Sequence, residues 1–415
     1  NKCIECGFCE VNCMSCGLTL SSRMRIAVQR EIRELESTGK NPERVATLKK
    51  QYKYYGDQTC ATDGLCSTSC PMKINTGELT HIIRQMDMNN NAVGYKIGEF
   101  AANHMAGIKS GLRVVLDVAH LGHVTLGPTM MTSIARGMNK MGLPLWTTAM
   151  PKKHRQPKKT DLTQFIIEKS IPQKEEEHLP LKVVYFPSCI NQTMGQSKFH
   201  GKKHDLVDEV IQLCAKAGYE VIFPEGMERM CCGQIWESKG MLDIADRKSA
   251  ELEKALWEAS EQGKYPVLCA QSPCLHRMKK VMKKMKLYEP AEFIMKYLAP
   301  RLDFHPIDRH IALHLTCSTR QMGVAEDLIA LAKMCSNNVY LPEGVGCCGF
   351  AGDRGFTFPE LNKYGLRKLR PQIEKNHIEV GYSNSRTCEI GLESNTGIPY
   401  MNIVYLVHEC TTAKK

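Results

Sequence analysis

The chain has 415 residues, 43% hydrophobic and 24% charged, with 55 Lys and Arg against 44 Asp and Glu for a formal charge of +11. That length suggests two or three domains, each able to bury its own core, and the composition excludes a disordered, collagen-like or membrane-embedded chain. The most apolar stretch, RVVLDVAHLGHVTLG from Arg113, is broken by His, Asp and Gly short of the roughly 18 residues of a spanning helix.

In chain order, residues 1–80 carry eight of the 20 Cys, with the helical segment MRIAVQREIRELEST from Met24 between two cysteine groups. Residues 81–180 carry none. HIIRQMDMNN and MMTSIARGMNKM there have helical patterning, while PKKHRQPKK from Pro151 and PQKEEEHLP from Pro172 read as connector. From Leu181 the pattern becomes LKVVYFP as strand, LVDEVIQLCAKAG as helix, YEVIFPEG as strand and ESKGMLDIADRKSAELEKALWEAS as one long amphipathic helix. RMKKVMKKMK from Arg277 would set Met278, Met282 and Met285 on one helical face. A solvated helix covering the domain beneath is the plainer reading; docking to an acidic partner or an anionic membrane surface is the other. The series then repeats: HIALHLTC as strand, VAEDLIALAKMC as helix, NNVYLPEG as strand, and a helical stretch from Pro359 toward Lys375.

Landmarks repeat with it. Cys189 matches Cys317, 128 residues on; Cys231 matches Cys347 at 116; Cys274 matches Cys388 at 114; and FPEG at Phe223 echoes LPEG at Leu341. The expected fold class is therefore α/β, with two duplicated parallel α/β units over 181–300 and 301–415, a helical connector over 81–180, and a helical cysteine domain over 1–80. Clustered Cys in a large chain with no signal peptide favour thiolate metal ligands in a reducing compartment over disulfides, which places the protein on the cytoplasmic side. The chain opens at Asn1, two residues before its first metal-type Cys, as a fragment or a matured piece would.

Cys3, Cys6, Cys9 and Cys13 form CxxCxxCxxxC, a spacing in which three thiolates grip one iron–sulfur cubane and the fourth reaches a neighbouring cluster. The complementary half is Cys60, Cys66, Cys70 and Pro71, with Asp63 where a second Cys would stand. By the cross-over rule, Cys3, Cys6, Cys9 and Cys70 would hold one 4Fe-4S cluster, and Cys13, Cys60 and Cys66 the other. Asp63 leaves three options for that second cluster: carboxylate ligation, a 3Fe-4S form, or Cys16 as substitute. Asp63 also suits a plain turn residue before Gly64. Two clusters held close together form a relay for single electrons and predict no bond-making chemistry of their own.

Each later unit offers a Cys after its first strand, a CCG after its second and another Cys near its third. In an open parallel sheet those strand ends converge on one crevice, which would gather Cys189, Cys231, Cys232 and Cys274, and likewise Cys317, Cys347, Cys348 and Cys388. Gly233 and Gly349 would let backbone approach a cluster closely. Cys214, Cys335 and Cys410 read as small buried hydrophobes, and His310, His314 and His408 as packed or exposed residues without a metal role.

These units resemble the cysteine-rich CCG domains of heterodisulfide reductase and of the iron–sulfur components that serve glycerol-3-phosphate, glycolate and lactate oxidation. The resemblance implies an iron–sulfur cluster in one or both units, with zinc as the alternative in one. The terminal motif is altered: Cys269 precedes Cys274, but Ser383 stands before Cys388, one thiolate short of a five-thiolate site. Across nearly its whole length the chain resembles the carboxyl-terminal iron–sulfur region of the FAD-linked D-lactate dehydrogenase family. CIECGFCEVNC, TLSSRMRI, CATDGLCSTSCP, CCGQIWESKG and CCGFAGDRGFTFPEL carry that resemblance, with Met14 where Pro commonly follows Cys13. It implies an oxidoreductase part whose FAD sits on a preceding domain or a partner, and an electron acceptor such as a quinone or electron-transfer flavoprotein. No catalytic residue of a flavin site, and no GxGxxG after a strand, is found in these residues. No nucleic-acid partner is expected, and peripheral contact with the inner face of the membrane is the one membrane role left open. A cluster that itself cleaves a disulfide is the rival reading, and a zinc-stabilised scaffold the third.

Overall fold

The computed structural model describes residues 2–140, 146–154, 181–197, 200–202 and 204–414. The first cysteine loop leads into α1 (Ser22–Thr38), whose N-cap Ser21 hydroxyl accepts from the Met24 N–H at 3.3 Å and which stops at Gly39, φ 67°. Asn41 caps α2 (Pro42–Tyr52), with Pro42 at the first helical position where its missing N–H costs nothing. This helical pair spans the gap between the two cysteine groups and returns the chain to Cys60. Then follow α3 (Thr76–Asn89), α4 (Ala92–Asn103) and α5 (Met105–Lys140), the last kinked at Gly127, φ 76°, before Pro128. Among the described residues no helix is long and apolar enough to cross a membrane.

Beyond them stand two parallel four-stranded sheets of one topology. The first comprises β1 (Lys182–Phe186), β2 (Glu220–Ile222), β3 (Val267–Cys269) and β4 (Leu287–Tyr288), in the order β2-β1-β3-β4. After β5 (Leu302–Phe304), the second comprises β6 (Ile307–Leu313), β7 (Ser336–Tyr340), β8 (Val380–Ser383) and β9 (Tyr400–Asn402), in the order β7-β6-β8-β9. The final strand β10 (Thr411–Ala413) pairs antiparallel with β5. Crossover helices α6 (Leu206–Lys216), α7 (Leu242–Ala259) and α8 (Ser272–Val281) serve the first sheet, and α9 (Ala325–Cys335), α10 (Arg386–Thr396) and α11 (Ile403–Glu409) the second. In both sheets the chain reverses its direction of build between the first and third strands, so the crevice beyond those strand ends is the natural binding position.

Alternation in KVVYF sends Val183 and Tyr185 to one face and Val184 and Phe186 to the other, all fully buried. Val183 and Tyr185 share a core with Ile311, Leu313, Leu328, Tyr382 and Leu406 of the second repeat, so the repeats bury apolar surface against each other. Cys214, Cys335 and Cys410 are buried in this same core.

Two expectations need correction. The long helix expected from Glu237 begins at Leu242, because Gly240 breaks it at φ 85°. A Cβ there would lie 2.4 Å from the Arg84 backbone, so the glycine lets α3 dock against the first unit. The lysine-rich helix stops at Val281, and Met278, Met282 and Met285 are all turned into the core, which leaves the lysines as its outer face. Gly233 and Gly349 take positive φ, 85° and 75°, and both are closely packed: a Cβ would meet the Ala245 carbonyl at 2.3 Å at the first, and the Met14 methyl at 2.3 Å and the Leu361 carbonyl at 2.9 Å at the second. Most of PKKHRQPKK and all of PQKEEEHLP lie outside the described residues.

Candidate metal centres

Two adjacent cavities open in the amino-terminal region. Cys3, Cys6, Cys9 and Cys70 line one, beside Arg23 and Pro71. Cys13, Cys60, Cys66 and Asp63 line the other, beside Ser15, Arg25 and Thr76. Thiols from both ends of the cysteine motif thus interlock across the α1–α2 pair, and Cys16 is not among the residues lining either cavity. The second cavity is electrostatically prepared for sulfur anions. Arg25, 1% exposed, donates to the Gly56 carbonyl at 2.6 Å, to the Ser15 hydroxyl at 2.9 Å and to Cys13 Sγ at 3.6 Å. Burial raises the Cys13 thiol, yet the Arg25 guanidinium and the Ser15 and Ser22 hydroxyls outweigh it and hold its pKa below the ordinary value. At the start of α3 the Thr76 N–H points at Cys66 Sγ, 3.4 Å away, although burial pushes that thiol up to about 11.

Asp63 makes the expected turn, its Oδ1 accepting from the Leu65 N–H at 3.0 Å. Its carboxyl also meets the Cys347 thiol of the second unit, and the Gln321 amide donates to its backbone carbonyl. Burial raises the Asp63 pKa against the lowering effect of the Leu65 N–H, the Cys347 thiol and the Arg25 charge. Met14 explains its own departure from proline: its terminal methyl fills the notch between Gly349 and Gly365, where a Cβ on either glycine would come within 2.3 Å of it. Tyr54 adds a hydroxyl bond to Glu360 at 2.6 Å. Toward the first unit the seam is charged: Arg84 pairs with Asp57 at 2.6 Å and donates to the Ser238 carbonyl at 2.9 Å.

In the first unit Cys189, Cys231, Cys232 and Cys274 form a run of thiol contacts at the carboxyl ends of β1 and β2 and in α8. The hydrogen bond with Cys189 lowers Cys231, but contact with Cys232 and burial prevail and push it up to about 12. Cys269, fully buried at the end of β3, lies within electrostatic reach of Cys189 and Cys232 and brings the gathering to five thiols. Lys109 reaches this group from α5. It is 3% exposed, bonded to Gln192 Oε1 at 2.9 Å, and faces Cys189 and Cys231, while burial lowers its pKa. Sequence reading passed over it because a lone lysine in a long helix carries no spacing signal.

In the second unit Cys317, Cys347, Cys348 and Cys388 make the matching run, with Cys348 Sγ and Cys388 Sγ 3.0 Å apart. The N–H groups of Gly349 and Phe350 point at Cys347 and Cys348 Sγ, each at 3.4 Å. His314, expected to lack a metal role, lies against this run: a ring nitrogen, Cys348 Sγ and Cys388 Sγ all fall within 4.8 Å of one another. Burial lowers the His314 pKa to about 3, which leaves the ring neutral.

The chemistry of these donors fits iron–sulfur clusters and, for the His314 group, metal binding in general: soft thiols gathered from distant segments, largely buried in the two later units, and met by N–H groups and cations. No family model matches the chain. It is similar to lactate utilization protein A 1 of Bacillus mycoides (strain KBAB4), with 23% identity over 203 residues, covering 45% of this chain and 80% of that relative.

Proposed function

We propose that this chain is the iron–sulfur electron-transfer module of a FAD-dependent D-lactate, or related 2-hydroxy acid, dehydrogenase. It would take electrons from a flavin-containing domain or subunit and pass them toward an acceptor such as a quinone or electron-transfer flavoprotein. The observation that carries this reading is the interlocking of two cavities through one loop: Cys70 crosses to Cys3, Cys6 and Cys9, while Cys13 crosses to Cys60 and Cys66. Similarity to a lactate utilization protein supports the choice of fuel.

Iron–sulfur clusters, when bound, supply one-electron couples whose potentials follow charge, burial and hydrogen bonds to sulfur. Cys3, Cys6, Cys9 and Cys70 suit a 4Fe-4S cluster. Cys13, Cys60 and Cys66 suit a three-thiolate 3Fe-4S cluster, or a 4Fe-4S cluster with Asp63 as fourth donor. Arg25 would offset negative charge at Cys13, and Lys109 would do so at Cys189 and Cys231.

Anaerobically purified protein should contain iron and labile sulfide, with paramagnetic resonance signals from two amino-terminal clusters. Cys70→Ser should remove one signal and spare the other; two unchanged signals would refute the pairing. Absence of iron after reconstitution would end the reading. The gathering of five thiols around Cys269 favours one second reading, in which the first unit reduces a disulfide as the heterodisulfide reductase resemblance implies. Disulfide reduction from an artificial donor, abolished by Cys274→Ala with the amino-terminal signals intact, would establish it.

A further inference from the structure

We infer that the outer stripe of α4 and α5 lies on an anionic lipid bilayer, its apolar side chains entering the headgroup boundary while the opposite stripe stays docked on the first unit. The inference goes beyond the electron-transfer reading and does not rest on it.

α5 is built inside out. On the stripe turned toward the first unit, Lys109 is 3% exposed and bonded to Gln192 Oε1 at 2.9 Å, Arg113 donates to the Gln192 carbonyl at 2.9 Å, and Leu116 and His123 are buried. Val114, Val118 and Leu121 stand on the other side at i, i+4 and i+7, flanked by Val115 and Val124, and these five are 60–65% exposed. α4 does the same. Its Gly98 carbonyl accepts from Trp236 Nε1 at 3.1 Å and its Tyr95 bonds Asp243, which seats it on the first unit, while Val93, Ile97 and Phe100, again at i, i+4 and i+7, are 61–70% exposed. Exposed apolar residues scattered singly are ordinary, but a continuous stripe marks an interaction surface. Taking a Val or Leu side chain fully out of water is worth about 1.5–3 kcal/mol, so a helix with its cations inside and its valines outside is not made to face water.

Charge names the occupant. Residues 91–154 carry seven Lys and Arg but only two acids, Glu99 and Asp117. Both acids are already paired, Glu99 with Arg247 at 2.8 Å and Asp117 with Lys153. Lys96, Arg136 and Lys152 stay exposed on these helices and on the segment that follows. An apolar stripe accompanied by cations, with every nearby acid neutralised, suits negatively charged headgroups. A second copy of this chain would instead set like charges against each other. The posture follows from the inward stripe: with Lys109 and Arg113 held by the first unit, the helices lie along the interface and do not span it, and among the described residues no helix is long and apolar enough to cross. The lysine-rich α8, which the sequence offered for such contact, has no comparable stripe because its methionines face the core.

The test floats the full chain with phosphatidylcholine vesicles, with and without phosphatidylglycerol. The protein should rise with the anionic vesicles, rise far less with the neutral ones, and be released as salt screens the headgroups. Val118→Ser combined with Leu121→Ser should weaken binding about tenfold or more, and Lys96→Gln about fivefold. All three positions are exposed, so unchanged circular dichroism and thermal unfolding would show that the variants fold. Lys283→Gln with Lys284→Gln, exposed positions just beyond α8, should leave binding intact. The assignment is overturned if wild type ignores anionic vesicles, binds both kinds equally, or loses binding through Lys283 and Lys284 and not through the stripe. A wild-type dimer split by the Val118→Ser, Leu121→Ser pair would give the face to a second copy and overturn it too. Iron-free protein that still floats would defeat the relay reading alone, and iron-loaded protein that does not float would defeat this inference alone.

Discussion

In the first unit the backbone carbonyl of Cys232 is met by a guanidinium, Arg277 Nε at 3.0 Å; in the second the equivalent carbonyl of Cys348 is met by an amide, Asn362 Nδ2 at 2.6 Å. Arg277 is 2% exposed and continues to Glu237 at 2.8 Å. The residue matching Arg277 is Gly391, and a Cβ there would stand 2.6 Å from the Asn362 amide nitrogen, so loss of the arginine side chain is what admits the asparagine. Two loops with one shape and one vicinal cysteine pair are thus held by different forces. Duplication preserved the sheet order and let the electrostatics around the sulfurs drift.

The sharpest way to break that contrast is to remove each support. Arg277→Ala leaves the Glu237 carboxylate with the exposed Lys280 as its ion-pair partner, and should cost about 3 kcal/mol in urea unfolding, toward the lower end for a broken buried pair. Asn362→Ala removes a neutral donor and should cost about 1–2 kcal/mol. Equal losses would show that charge plays no special part in the first unit.

Acid should sharpen the same difference. Burial opposes ionisation of Glu237, but Arg277 and Lys280 prevail and hold its carboxyl below the usual range. A carboxyl with a depressed folded pKa contributes stability that is full above its unfolded value, about 4.3, and lost as pH falls through the folded value. The stability gap between wild type and Arg277→Ala should therefore narrow below about pH 4.5, while the Asn362→Ala gap stays level. The smallest effect belongs to an exposed bridge between the cysteine loops of the units, Lys239 to Asp353 at 2.7 Å. Lys239→Ala should change stability by less than about 1 kcal/mol, and by nothing measurable in high salt.

What could be read in the sequence follows from how local each signal is. Cys3, Cys6, Cys9 and Cys13 sit within one loop, so their spacing alone suggested which cavity each would line. KVVYF alternates over enough residues to declare a strand, whereas β3 has three residues and β4 two, too few for any period. The lysine-rich helix was drawn too long because its apolar spacing continues past Val281, while Met282 already turns extended at ψ 104°. His314 looked solitary because its neighbours Cys348 and Cys388 lie 34 and 74 residues away and meet it only through the sheet. Asp63 could be read as a turn or as a donor, but nothing in its surroundings announced Cys347.

That long-range partnership sets a timetable for biosynthesis. The amino-terminal thiols leave the ribosome ahead of both later units: Gln321, which covers the Asp63 turn, follows 258 residues later, and Glu360 follows Tyr54 by 306. At roughly 5–20 residues per second, the nascent cysteine loop waits on the order of 13–50 s before its lid is even synthesised. Those seconds are a window in which assembly factors can reach the sulfurs, and also one in which oxygen can.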